Sequence, residues 1–199
     1  MLPCLLIFAK NPRPGRVKTR LANTLGDVEA LRIYRFLLQK TRETALAVEA
    51  RRCLRYSDAI TQDDEWPEEQ FEKFVQEGAD LGERMNAAFL RAFDDGAGKA
   101  VIIGSDCPEL DGALLAEAFS ALDASDVVIG PAPDGGYYLL GMRQHQPALF
   151  ADIVWSTPAV LPATLEKAAR LGLKVHLLPE LSDIDTETDW RAYLDRRTK

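Results

Sequence analysis

The chain of 199 residues is poor in the side chains that most often build metal centres. It has three cysteines and two histidines. Cys4, Cys53 and Cys107 are an odd number without metal-type spacing, and His145 and His176 lack the spacing of a metal pair. That argues against a zinc site and makes a reduced, cytoplasmic setting the expectation. His176 stands in an apolar run and reads as structural. No apolar run approaches the length of a membrane span. Leu2–Ala9 is too short, and no basic region precedes it as in a secretory signal. A glycine-rich dinucleotide fingerprint is missing after the first strand, because Gly96-Ala97-Gly98 precedes a strand. Lys18-Thr19 has the ending of a P-loop, but Val17 stands where its glycine belongs. Ser105 and Ser156 lack a nucleophile-elbow context. Positive charge is also scarce: 24 basic residues face 31 acidic ones, for a net charge of −7. Nucleic acid is therefore not an expected partner. Without repeats, low-complexity tracts or linkers, residues 1–199 are expected to form a single domain.

What positive charge there is has been concentrated. Lys10, Arg13, Arg16, Lys18 and Arg20 fall between Lys10 and Arg20 with no acidic residue among them. This loop follows the apolar run Leu2–Ala9, which reads as a buried strand. In α/β folds, ligands sit beyond the carboxyl ends of parallel strands. A basic loop there suits a polyphosphate, since guanidinium and ammonium groups offset and grip phosphate oxygens.

Further along, a helical pattern runs from about Val28 to Val48 and a strand from Cys53 to Tyr56. Asp58–Glu72 holds seven acidic residues and no basic one, and reads as an exposed loop. Helices follow at Leu81–Phe93, Gly112–Leu122, Ala159–Leu171 and Thr186–Leu194. Strands are expected at Ala100–Gly104, Asp126–Gly130, Tyr137–Met142 and Leu173–Leu178. The alternation predicts an α/β fold, a three-layer αβα sandwich with a mostly parallel sheet.

Four segments carry candidate chemistry. Asp106 follows the central strand Val101–Ile103 within Gly104-Ser105-Asp106-Cys107-Pro108. Magnesium takes oxygen ligands and often only one or two protein carboxylates, so Asp106 is the first candidate ligand. Asp183 and Asp185 are two more, or one of them caps the last helix. In Asp134-Gly135-Gly136-Tyr137-Tyr138 the glycines permit a tight turn or a close approach of backbone to ligand. Asp80-Leu81-Gly82-Glu83-Arg84-Met85-Asn86 opens a helix whose first amides could meet a phosphate, or else carries a capping pair, Asp80 with Glu83.

Taken in order, Phe8-Ala9-Lys10, Pro14-Gly15, Lys18-Thr19-Arg20-Leu21, Asp80–Met85, Gly104–Pro108, Asp134–Tyr138, Trp155-Ser156-Thr157 and Asp183–Thr186 resemble the nucleotide-diphospho-sugar transferase superfamily. Within it the chain is similar to a bacterial family named only provisionally as glycosyltransferases, which carries a domain-of-unknown-function label. More distantly it resembles the phospholactate and molybdenum cofactor guanylyltransferases. The resemblance implies the glycosyltransferase A-type fold and a divalent metal, Mg2+ or Mn2+. It implies a nucleotide site at Phe8, Ala9, Lys10, Gly15, Lys18, Arg20, Leu81, Gly82, Arg84 and Ser105. It places the second substrate at Gly135, Gly136, Tyr137 and Trp155, and metal ligands among Asp106, Asp183 and Asp185. Sugar transferases of this class carry Asp-x-Asp where this chain has Ser105-Asp106-Cys107. One expected carboxylate is missing, which favours Asp183 or Asp185 as its replacement.

Two enzymatic readings follow. In the first, a glycosyl group moves from a nucleotide sugar to a small-molecule acceptor. Asp106, Lys18 and Asp134 are then the catalytic candidates, with Asp134 as general base. In the second, a phosphate or carboxylate attacks a nucleoside triphosphate and pyrophosphate leaves. A third is non-catalytic nucleotide binding.

Overall fold

The computed structural model describes residues 1–62 and 64–197. The chain runs β1 (Cys4–Ala9), α1 (Thr19–Leu25), α2 (Asp27–Leu46), β2 (Arg51–Tyr56), β3 (Glu72–Val75), α3 (Leu81–Asp94) and β4 (Ala100–Ile103). It continues with α4 (Gly112–Ala121), β5 (Val127–Pro131), β6 (Tyr137–Met142), a 3-10 turn (Pro147–Leu149), α5 (Val160–Arg170), β7 (Val175–Leu177) and α6 (Glu187–Arg197). The strands form one seven-stranded sheet in the order β3-β2-β1-β4-β6-β5-β7. Only β6 is antiparallel to its neighbours, β4 and β5.

The alternation of side chains along β1 divides the core. Leu5, Ile7 and Ala9 face Ile33, Tyr34, Leu37, Leu38, Leu115 and Phe119 from α2 and α4. Cys4 and Leu6 face Met85, Ala88, Phe89 and Ala168 from α3 and α5. Both faces of the sheet are thus covered, as parallel strands buried on both sides require. The expected three-layer α/β sandwich is what the chain forms.

Strand order positions the site. From β1 the chain builds outward through β2 and β3, then returns to β4 on the other side of β1. Loops after β1 and β4 therefore diverge and leave a crevice at the carboxyl ends of the two strands. Phe8-Ala9-Lys10 and Gly104-Ser105-Asp106 stand at its two lips.

Two expectations are corrected. The helical pattern expected from Val28 is preceded by a separate short helix, α1, broken from α2 at Gly26, whose φ is +82°. The acidic segment Asp58–Glu72 is not simply an exposed loop, although Asp63 lies outside the described residues. Trp66 and Phe71 are fully buried in it and meet edge to face at 5.0 Å. Lys73 pairs with Asp64 at 2.9 Å, both nearly inaccessible, and Asp64 also accepts from the Tyr56 hydroxyl. Its last residue, Glu72, begins the edge strand β3, which pairs parallel with β2.

Candidate active site

Lys18 organises the crevice. Its side chain is 4% exposed, and its Nζ lies 2.9 Å from Asp106 Oδ1 and 3.1 Å from Asp185 Oδ1. Burial alone would lower the lysine pKa, but the Asp106 and Asp185 carboxylates outweigh it and hold the ammonium charged. From sequence Lys18 is one of five basic residues of a loop. In the structure it is the buried residue before α1, with a left-handed backbone at φ 49° and ψ 46°. A lysine in that region carries strain of about 1–3 kcal/mol, which the double ion pair helps to hold. Ser156, at φ 61°, is a second left-handed residue on the wall of the same crevice.

Asp185 reaches this point through a long-range backbone tie. The segment after β7 crosses the strand ends, accepting from the Tyr138 hydroxyl at Pro179 O and donating from Leu181 N to Pro131 O. Ile184, 2% exposed, then donates its N–H to Asp106 O at 2.9 Å. The two aspartates that flank Ile184 arrive beside Asp106 as a result. Neither is spent on capping α6. Thr186 does that, with Asp189 Oδ2 accepting from the Thr186 N–H and hydroxyl. Asp183 sits among these charges, and its pKa is pushed up to about 7. Burial is the main cause, with Asp106, Asp134 and Asp185 adding and Lys18 opposing. Arg20 Nη1 lies 3.5 Å from Asp185 Oδ2 on the exposed side.

Tyr34 secures the other lip. Its hydroxyl accepts from Lys10 N at 2.8 Å and lies 3.2 Å from Ser105 Oγ, joining the ends of β1 and β4. The sequence pattern marks Tyr34 only as one apolar position of a helix. A phenolic hydroxyl on an otherwise apolar helix stripe was the available signal. Asn11, 3% exposed, ties the basic loop to the acidic segment, donating to Ala59 O and Thr61 Oγ1 and accepting from Asp58 N.

Phe8, Ala9, Lys10, Lys18, Arg20, Leu81, Arg84, Ser105 and Asp106 all line one cleft of about 530 Å³. Arg16, Ser57 and Gln76 join them without having been singled out individually from sequence as site residues. Asp134, Gly136, Tyr137, Trp155 and Asp183 line an adjoining space of about 450 Å³ that shares Arg20, Leu81, Ser156 and Asp185 with the first. Gly15, Gly82 and Gly135 line neither. Gly15 forms a turn at φ +69°. Gly82 lies under the Trp155 indole, where a Cβ would come within 2.1 Å of Nε1. Gly135 is at φ +84°, where a Cβ would meet Pro158 O at 2.3 Å. Asp134 accepts from Gly136 N at 2.9 Å. Asp80 caps α3 by accepting from Glu83 N, and Glu83 accepts in return from Ala79 N.

Among the described residues no set of three acidic, histidine or cysteine side chains is arranged to hold a metal ion. Asp106 and Asp185 nevertheless converge on one cationic atom, and the Lys18 ammonium stands where their shared charge is offset.

This fold, with its cleft at the carboxyl ends of β1 and β4, is that of the nucleotide-diphospho-sugar transferases. The chain belongs to the DUF2064 family, described as uncharacterized proteins conserved in bacteria, whose family model matches residues 38–157. A crystal structure from Desulfovibrio desulfuricans G20, named provisionally as a nucleotide-diphospho-sugar transferase, is 38% identical. The match covers 99% of this chain and 87% of that one, with a TM-score of 0.89. The protein Rv0371c of Mycobacterium tuberculosis H37Rv, solved in complex with manganese, is 15% identical over 98% of this chain and 99% of its own, with a TM-score of 0.58. The inositol-1-phosphate CTP transferase of T. maritima is 17% identical over 94% of this chain and 90% of its own, with a TM-score of 0.61. The last two likenesses show the fold alone. No curated protein matches. Among the described residues, no helix is long and apolar enough to cross a membrane.

Proposed function

We propose that this chain is a glycosyltransferase that takes a nucleotide-sugar donor and passes its glycosyl group to a small-molecule acceptor. The observation that carries the reading is Lys18 Nζ, held between Asp106 and Asp185 in a cleft whose other charged side chains are all basic. Lys10, Arg16, Arg20 and Arg84 supply positive charge for a diphosphate, and the carboxylates supply a place for a cation. The provisional name of the 38%-identical relative supports the same class.

The residues present fit magnesium or manganese. Such an ion needs only one or two protein carboxylates when phosphate oxygens complete its shell. Asp106, with Asp185 or Asp183, would hold it, and bound there it would offset charge on the diphosphate leaving group. The fold relative solved with manganese supports this choice of ion. Lys10, Lys18 and Arg20 stabilise the departing phosphates through a fixed field. Phe8, Ala9, Leu81 and Ser105 shape the nucleotide end of the cleft. Asp134, oriented by the Gly136 N–H, accepts the proton of the acceptor hydroxyl. Gly136, Tyr137 and Trp155 bound the acceptor.

Nucleotidyl transfer is the second reading. Five basic side chains suit a triphosphate as well as a diphosphate, and the inositol-1-phosphate CTP transferase shares the fold. The test is an assay of nucleoside diphosphate release from a panel of nucleotide sugars, beside pyrophosphate release from the four common triphosphates. Both are run with manganese and with chelator. Diphosphate release is expected, and pyrophosphate release in its place would overturn glycosyl transfer. Asp106→Asn should abolish the metal dependence of nucleotide affinity in calorimetry. Equal affinity of the unaltered protein with manganese and with chelator would remove the metal from the reading.

A further inference from the structure

Ser156 stands where the nucleotide cleft opens into the adjoining space, a second compartment. Four residues line both: Arg20, Leu81, Ser156 and Asp185. Leu81 has no polar side-chain atom, and Arg20 and Asp185 lie 3.5 Å apart as an ion pair. The Ser156 hydroxyl makes no hydrogen bond among the described residues. Its turn is tied instead by the next hydroxyl, Thr157 Oγ1, which donates to Val154 O at 2.7 Å. The Ser156 backbone is left-handed, at φ 61°. Glycine occupies that region without strain, whereas serine there is uncommon. Asp152, at φ 50°, is left-handed in the same loop but lines neither compartment. A strained residue on the wall of a cleft, with a hydroxyl that serves no contact within the fold, points to a contact with ligand.

Resting on the glycosyl-transfer reading, we propose that Ser156 binds the terminal phosphate of the donor's diphosphate, at the point where the sugar departs. The cleft runs from Ser57 and Gln76, just past β2 and β3, by way of Lys18 and Asp106 to Ser156. A nucleoside seated at the uncharged Ser57 and Gln76 end directs its phosphates toward Lys18 and Asp106. The second phosphate then lies nearest the opening, and the sugar beyond it. The bond that breaks joins the anomeric carbon to an oxygen of that phosphate, and its electron pair passes to the oxygen. The acceptor oxygen bonds to the carbon, and its proton goes to Asp134. A hydroxyl donor fixed beside the oxygen that gains charge stabilises this departure.

The test measures calorimetric affinities of the full chain, with manganese, for the di- and monophosphates of adenosine, cytidine, guanosine and uridine. Ser156→Gly keeps the left-handed turn and removes the hydroxyl. It should melt no lower than the unaltered chain and bind the diphosphate about tenfold more weakly, the loss expected of one hydrogen bond to a charged group. Its monophosphate affinity should be unchanged. Ser156→Ala should show the same selective loss. Asp152→Gly, which relieves strain elsewhere in the loop, should alter neither affinity. An equal loss for both nucleotides, or none, overturns the proposal. So does an unaltered chain that binds no diphosphate more tightly than its monophosphate. Failure of the underlying reading is separately visible: pyrophosphate release would refute glycosyl transfer, whereas the difference between the two nucleotides judges Ser156.

Discussion

Lys18 Nζ lies 2.9 Å from Asp106 Oδ1, so the basic loop after β1 and the carboxylate after β4 neutralise each other at the base of the cleft. Asp185 closes the same group from a position 167 residues along the chain from Lys18. The ammonium holds the point on which a divalent ion and Asp106 would meet. Lys18→Ala should therefore separate two effects. Manganese affinity of the nucleotide-free protein should rise, because two carboxylates lose their cation. Nucleotide affinity should fall about tenfold, as for the loss of one charged hydrogen bond. Stability should drop by about 1–2 kcal/mol, because the carboxylates are 39% and 52% exposed and solvent screens them. Calorimetry and urea denaturation read the three quantities, and unchanged manganese affinity would count against the shared site.

Tyr34→Phe removes the hydroxyl that joins the two lips of the crevice. Lys10 N–H loses its acceptor and Ser105 its polar neighbour. A loss of about 1–2 kcal/mol in stability is expected from one orphaned, partly buried donor. Nucleotide affinity should fall as well, since the loop after β1 loses its anchor. Denaturant melts that overlay those of the parent protein would refute this.

Gly82→Ala tests the wall of the second compartment. The added Cβ would fall 2.1 Å from Trp155 Nε1, so the indole must move. Overpacking of this kind costs about 1–3 kcal/mol. The emission of Trp155 should shift, and acceptor use should suffer more than nucleotide binding. Glycine is required here by contact rather than by backbone angle.

Asp183 sets a pH dependence. Its folded-state pKa is about 7, against an ordinary value of 3.8, first through burial and then through Asp106, Asp134 and Asp185, with Lys18 opposing. Between those values the folded chain binds a proton that the unfolded chain has released. Asp183 therefore contributes stability that is full below about pH 4, declines as pH rises, and is gone above about pH 7. Asp183→Asn should flatten that decline in urea melts taken from pH 4 to pH 8. The same slope in both proteins would show that Asp183 titrates normally.

Local pattern carried much of this protein. An apolar run ending in a basic loop, and a second apolar run ending in Gly104-Ser105-Asp106, already placed two strand ends and their ligand-facing residues. The long helices and the three-layer sandwich were legible from periodicity, because burying one face of each element imposes a repeat on the sequence; the seven-residue α1 was too short to show one. Asp80 with Glu83 was legible as a cap, since capping is a contact between near neighbours. The burial of Lys18 was not legible, since a lysine in a basic loop has no local mark of being paired. Its partners come from the loop after β4 and from a distant segment tied to Asp106 by the Ile184 N–H. Nor did seven acidic residues betray that Trp66 and Phe71 lie in the core beneath them. Sequence determined which residues stand at the strand ends. Only the tertiary structure decided which charges neutralise one another there, because electrostatic pairing depends on distance in space and the chain separates those charges widely.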